Sequence, residues 1–315
     1  MTGAVAIQTV VSGLSTGSAY VLIAIGFTLL QRLTGVIAFA HGDLAIGSVF
    51  VGVILLLGSA PTAATLGLAS SAGLAIVVLA AGALASVLVY LLAVRPFVPR
   101  VGRAARGWDV AGWVGGGLAA GLLVRALLGL AFDQDAYAVP DPLHLSQLNR
   151  SGLVHLPGGA VVTTRTLGVL GIGLVVGLLA ERLLVASRVG VRMRAVSDDA
   201  TAAALLGLPV RRLTLLAFAV AGALAGLAGL LIAPGQSISV DSGVVLGLKA
   251  IAGATLGGLG SIRGALAGGL VIGLIEAFAV QASFLGPRYA DVLPLAIVVL
   301  ALALAPLRSR AVVLE

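Results

Sequence analysis

The chain has 315 residues, of which 60% are hydrophobic and only 10% charged, where a soluble domain carries about 25% charged residues. A formal net charge of +7 would suit nucleic acid, but aromatic residues make up 4% of the chain, too few for base-stacking platforms. The absence of Cys removes disulfides and thiolate chemistry. Repeated apolar runs of roughly 20 residues predict instead an all-α, polytopic integral membrane protein.

The predicted elements follow in chain order. Ile7 to Leu30 form a first span, with Gln31 and Arg32 at its inner end. It lacks a basic leader, so it is read as a retained span and not a cleaved signal. The polar break Thr34–Asp43 precedes Leu44 to Leu57, a run short for a full crossing, which predicts a broken or re-entrant helix. Leu66 to Ala93 return the chain to a basic patch of Arg95, Arg100, Arg103 and Arg106. Val110 to Phe132 lead outward, with Gly112, Gly116, Gly117 and Gly121 spaced for close helix approach. Residues 133–166 form an extracytoplasmic loop, in which His155 to Thr164 read as a β-hairpin on a Pro157-Gly158-Gly159 turn.

Leu167 to Leu184 lead back to a polar loop, residues 187–212, and Leu213 to Ala233 cross outward with a Gly222/Gly226 pair. Val244 to Leu256 re-enter and meet Gly257–Gly264, where Gly260, Gly264 and Gly268 are expected on one packing face. Ala265 to Ala282 and Leu293 to Leu307 complete a set of eight or nine membrane or re-entrant helices in a single domain, 1–315. In this topology about fourteen of the nineteen Lys and Arg lie in cytoplasmic segments, so the basic balance reports orientation: N-terminus outside, C-terminus cytoplasmic. Lipid, and not nucleic acid, is then the expected surroundings.

Within residues 187–212, Ser197, Asp198 and Asp199 supply side-chain oxygens of the kind that cap a helix N-terminus. Thr201 to Leu206 are mostly helix formers, Gly207 suits the left-handed residue past a helix end, and Pro209 stops continuation. The result is a two-turn helix too short to be stable without something to dock against. Three ionisable residues, Arg125, Lys249 and Glu276, fall inside apolar segments well away from their ends. Each is costly in hydrocarbon and should face the bundle interior, a partner or water. Arg125 or Lys249 would meet a substrate carboxylate, or else each belongs to a structural ion pair. His41 and Asp43 flank Gly42 at a helix start, as polar pathway contacts or as groups satisfying the backbone at the break, with Asp43 as the cap. The Gly-rich Gly257–Gly264 segment lacks the strand-and-helix setting of a phosphate loop. No HExxH, GxSxG or metal-spaced His pair occurs, so no catalytic residue, metal site or cofactor is expected in this chain.

Several stretches carry a resemblance. Arg192–Leu208 (RMRAVSDDATAAALLGL), Phe39-Ala40-His41-Gly42-Asp43, the late segment GLKAIAGATLGGLGSIRGA at 247–265 and Glu276 in GLIEAF occur in the order seen in permease subunits of the branched-chain amino-acid (LivH-like) ABC transporter family. Ala38 stands where members often have Asn, and Arg125 where a neutral polar residue is more usual. The resemblance implies a subunit of a bacterial plasma-membrane importer that moves leucine, isoleucine, valine or small amides such as urea by alternating access. It implies cytoplasmic ABC ATPase subunits as partners, meeting Asp198, Asp199, Ala204, Leu205, Leu206 and Gly207. A second homologous permease and an extracytoplasmic substrate-binding protein complete the implied assembly. The competing readings are a secondary transporter or channel working without an ATPase, and a sugar-type ABC permease.

Overall fold

A computed structural model of the chain describes residues 3–35, 38–57, 68–97, 107–132, 136–139, 141–145 and 152–281, with isolated positions 292 and 296. The described residues form α1 (Gly3–Thr34), α2 (His41–Leu57), α3 (Leu68–Val89) and α4 (Gly107–Ala131), then a hairpin of β1 (Leu153–Leu156) and β2 (Ala160–Thr163). They continue through α5 (Thr164–Ala186), α6 (Arg188–Asp198), α7 (Ala200–Leu205), α8 (Val210–Ile232), α9 (Ser242–Leu256) and α10 (Ile262–Gln281).

Six of these helical segments are long and apolar enough to cross a membrane: Gly3–Thr34, Ser70–Val94, Val114–Ala131, Thr164–Ala186, Val210–Gly235 and Ile262–Gln281. The two runs predicted as short, α2 and α9, are indeed shorter apolar helices. The predicted segment Leu293–Leu307 lies outside the described residues. Near its end α3 widens into a π-turn, Tyr90–Val94, just before Pro96, a placement in keeping with a backbone easing out of its ladder ahead of a residue without an N–H.

Helix α1 is the pillar of the bundle. From Ala19 to Ile25 its side chains are 0–2% exposed, and it packs against α5, α8, α9 and α10. Small residues make those contacts. Gly13 and Gly17 of α1 lie directly on Gly273 and Gly269 of α10, and Gly82 of α3 lies on Gly222 of the predicted pair in α8. Bilayer tails are as apolar as Leu, so close backbone approach, and not the hydrophobic effect, is what holds such helices together.

The two short helices meet at their starts. Gly42 of α2 abuts Gly243 and Gly247 of α9. Helix α2 begins beside the middle of α1, with His41 against Gly26, so it opens partway along the bundle. At the other end of α9, the turn into α10 brings Gly257 onto Gly264 and Gly253 onto Gly268. Gly260 does not join that face. It sits in the turn before Ile262 at φ +95°, close to Gln31 and Arg32, because α10 starts only after it. Its left-handed backbone favours glycine.

The hairpin is present where Pro157-Gly158-Gly159 predicted it, pairing Leu153 with Thr163 and Leu156 with Ala160. Gly158 (φ +84°) and Gly159 (φ +77°) both take the left-handed conformation that a tight hairpin connection demands. Gln8 donates to the Val161 carbonyl at 2.8 Å, which ties the start of α1 to β2.

Candidate functional sites: a docking helix and membrane-embedded charges

Residues 187–212 fold as a strut and a tip. The strut is α6, which was not anticipated from the sequence. Ser187 caps it by accepting from the Gly190 N–H at 3.1 Å, and Gly190, Met193 and Val196 form its buried side. Arg194 donates to the Leu184 and Val185 carbonyls near the end of α5. Ser197 donates to the Arg32 carbonyl at 3.0 Å, in the last turn of α1. Carbonyls at a helix end have no partner within the helix, so α6 fastens itself to two membrane helices through groups that need donors.

The tip is α7. Asp199 closes α6 and opens α7, its Oδ1 accepting from Thr201 N (2.8 Å) and Ala202 N (2.9 Å). The cap is therefore Asp199; Asp198 is the last residue of α6, and Ser197 serves α1. At the far end, Leu208 N–H donates to Ala203 O and Gly207 N–H to Ala204 O, with Gly207 at φ +81°. This is a Schellman closure, as Gly207 and Pro209 predicted. The six-residue helix of α7 buries Ala203 but leaves Leu205 85% and Leu206 81% exposed. Two adjacent leucines held outward on a doubly capped helix make a compact apolar contact point. Replacing Asp199 with Ala will loosen this tip by about 1 kcal/mol. The change should appear as faster amide hydrogen exchange at Thr201 and Ala202, with exchange in α8 unchanged.

The predicted intramembrane charges are all paired. Lys249 of α9 contacts Glu276 Oε1 of α10 at 2.8 Å. Tyr20 of α1 donates to Glu276 Oε2 at 2.7 Å, and the Lys249 ammonium lies 5.8 Å from the centre of the same tyrosine ring. Three helices are thus joined at one buried point. Arg125 of α4 lies 3.3 Å from Asp43 and 3.8 Å from Asp241. Asp43 therefore does not cap α2, which begins two residues earlier at His41. Its carboxylate turns to α4. His41 is 1% exposed, set edge-on to Phe27 at 5.2 Å. It faces the backbone of Ala221, and neither ring nitrogen is in hydrogen-bonding geometry. It packs as a core residue, apart from Asp43.

Three partners escaped the sequence reading. Asp241 lies just ahead of the Val244–Leu256 segment, and Tyr20 falls within the Ile7–Leu30 span. Glu181 of α5, only 9% exposed, meets Arg263 of α10 at 2.7 Å. A sequence signal exists for the first: an acid immediately ahead of a short apolar segment, in a chain with an unpartnered Arg inside another. Among the described residues, no three His, Asp or Glu side chains gather as a metal site.

A bundle of apolar helices with two shorter members and ion pairs between helices has the architecture of a multi-pass membrane permease. The chain belongs to the family described as branched-chain amino acid transport system / permease component, whose model matches residues 9–302. It is 30% identical over 305 residues to the high-affinity branched-chain amino acid transport system permease protein BraD of Pseudomonas aeruginosa, covering 95% of this chain and 94% of that protein. It is 29% identical over 306 residues to LivH of Escherichia coli K12, with the same coverage of 95% and 94%. Among solved structures, PsaBC from Streptococcus pneumoniae in complex with Fab overlays on 92% of this chain and 88% of that one, at 15% identity and a TM-score of 0.46.

Proposed function

We propose that this chain is the membrane-spanning subunit of an ATP-driven importer of branched-chain amino acids in a bacterial plasma membrane. The observation that carries the reading is α7, a short, doubly capped helix presenting Leu205 and Leu206 to the outside of the fold. A helix of this length gains stability chiefly by docking, and an ABC ATPase subunit is its occupant. Ala204, Leu205, Leu206 and Gly207 lie at the contact, with Asp198 and Asp199 at its edge. ATP is bound and hydrolysed on that partner, and this chain carries no cofactor of its own. A second, homologous permease and an extracytoplasmic binding protein complete the importer. Residues 187–212 and the C-terminus face the cytoplasm, and the N-terminus and hairpin face outward.

Strut and tip together give the coupling a route. Motion imposed on α7 passes through Asp199 into α6, and from α6 through Arg194 and Ser197 into the ends of α5 and α1. Helix α1 in turn touches most of the bundle.

The test is affinity capture of the tagged protein in mild detergent, comparing wild type with the double variant Leu205→Asp/Leu206→Asp. An ATPase subunit will co-purify with wild type and fall by about tenfold or more with the variant, since charge at a buried apolar contact is strongly unfavourable. The variant should elute as the folded protein, because both side chains are exposed in the isolated chain. Recovery of folded wild type with no ATPase would overturn the reading in favour of a gradient-driven transporter or channel.

A further inference from the structure

The cluster that joins α2, α4 and the start of α9 is not balanced in charge. It holds one guanidinium, Arg125, and two carboxylates, Asp43 and Asp241, so one negative charge is left over when all three are ionised. Asp43 alone would neutralise Arg125: its side chain is 5% exposed and lies 3.3 Å from Nε. Asp241 is the surplus. Its side chain is 73% exposed and reaches Nη1 only at 3.8 Å, the outer limit of an ion pair. At that exposure Asp241 is open to solvent and to a cation arriving from outside the fold.

An open groove of about 370 Å³ lies at this point, lined by Arg125, Ala126, Gly129, Leu130, Val240 and Asp241, with Leu130 at its rim 85% exposed. Its wall has three chemistries side by side. One is the guanidinium of Arg125, met at Nε by Asp43 and approached at Nη1 by Asp241. The second is the surplus carboxylate. The third is an aliphatic surface from Ala126, Leu130 and Val240. An α-amino acid carries the complementary three groups on one carbon: a carboxylate, an ammonium and, in the branched-chain members, an aliphatic side chain.

We propose that this groove binds the transported amino acid as its zwitterion. The ammonium sits on Asp241, the α-carboxylate on the guanidinium of Arg125, and the side chain against Ala126, Leu130 and Val240. Asp43 holds the guanidinium in place from behind. The arrangement selects by charge: a carboxylic acid lacking the amine meets Asp241 with nothing to offset it, and an uncharged sugar satisfies neither group. The proposal rests on the importer reading above and adds to it where the solute binds in this subunit.

The natural absence of Cys makes a direct test clean within this chain. Ala126→Cys would be introduced, with Leu130→Cys as the second position should the first fail to assemble. Each variant would be reconstituted in proteoliposomes with its ATPase, second permease and binding protein. Labelling by a small methanethiosulfonate reagent is then timed with and without leucine, and with 4-methylpentanoate, which has leucine's skeleton without the amine. Leucine should slow labelling about fivefold or more, and the acid should not. Asp241→Asn should raise the KM for leucine by about tenfold or more while the ATPase still co-purifies. Equal labelling with and without leucine in vesicles that accumulate leucine overturns the site and leaves the importer reading intact. Absence of labelling at both positions overturns it too. Vesicles that take up no leucine at all overturn the importer reading, and this proposal falls with it.

Discussion

Glu276→Ala will leave little folded protein. The substitution removes the carboxylate that meets the Lys249 ammonium, whose side chain is only 7% exposed, between α9 and α10. Removing one partner of a buried pair typically costs about 3–5 kcal/mol. It also removes the Glu276 oxygen to which the Tyr20 hydroxyl donates. The check is fluorescence-detected size exclusion in detergent, with melting followed by loss of the monodisperse peak. The double variant Lys249→Met/Glu276→Leu discriminates between causes: replacing both charges with apolar groups of similar volume is often neutral or stabilising. Recovery of the folded peak there assigns the loss to the broken ion pair. If the double variant is as poor as Glu276→Ala, the pair is required for more than neutralisation. Tyr20→Phe keeps the ion pair and loses one hydrogen bond to a charged group, so its effect should be smaller, about 1.5–3 kcal/mol.

That pair also shows what the sequence made legible. Lys249 and Glu276 stand out because charge is conspicuous in hydrocarbon-length apolar runs, and rarity alone says they must be met by something. Which group meets them is a tertiary fact. The two are 27 positions apart on consecutive helices, close enough for the pairing to be weighed. Asp241 lies much further from Arg125 in the chain and reads as a loop residue. The abutment of α2 and α9 at Gly42, Gly243 and Gly247, and of α4 on α2 at Gly121, brings Asp43, Asp241 and Arg125 to one place.

The contrast between α7 and α6 makes the same point for secondary structure. The tip is written in local chemistry: Asp199 as cap, a run of alanines and leucines, Gly207 as the left-handed stop. The strut, RVGVRMRAVSD, carries three arginines and two glycine- or serine-type interruptions and reads as a polar loop. Its helix is stabilised from outside, by the Ser187 cap and by Arg194 and Ser197 donating to the ends of α5 and α1. The spans were legible for a simpler reason. Twenty apolar residues in lipid have only the helix available, since every backbone group must bond internally. The glycine spacings announced close packing in the same way, and only the position of the α10 start decided that Gly264 and Gly268 take part while Gly260 does not.

Gly273→Val should be as damaging as the charge deletion, by a different route. A Cβ at Gly273 meets Gly17 N, Gly17 Cα and Gly13 O across the α1–α10 contact. All three are backbone atoms, so no side chain is able to swing aside and one helix must move. The helix that would move is α1, whose centre is the most fully buried part of the chain, so the displacement spreads to α5, α8 and α9. Overpacking a tight interior costs about 1–3 kcal/mol and often more, and in lipid no hydrophobic gain elsewhere offsets a parted helix pair. Gly171→Val on α5 is the matched control: the same atoms are added within a membrane helix, but a Cβ there meets nothing within 4 Å. It should give wild-type yield and melting, with at most a slight change from helix propensity, whereas Gly273→Val should lose most of the monodisperse peak. Equal behaviour of the two would mean that backbone contact between α1 and α10 is not what holds the pillar in place, and that the charged junction at Tyr20, Lys249 and Glu276 carries that role alone.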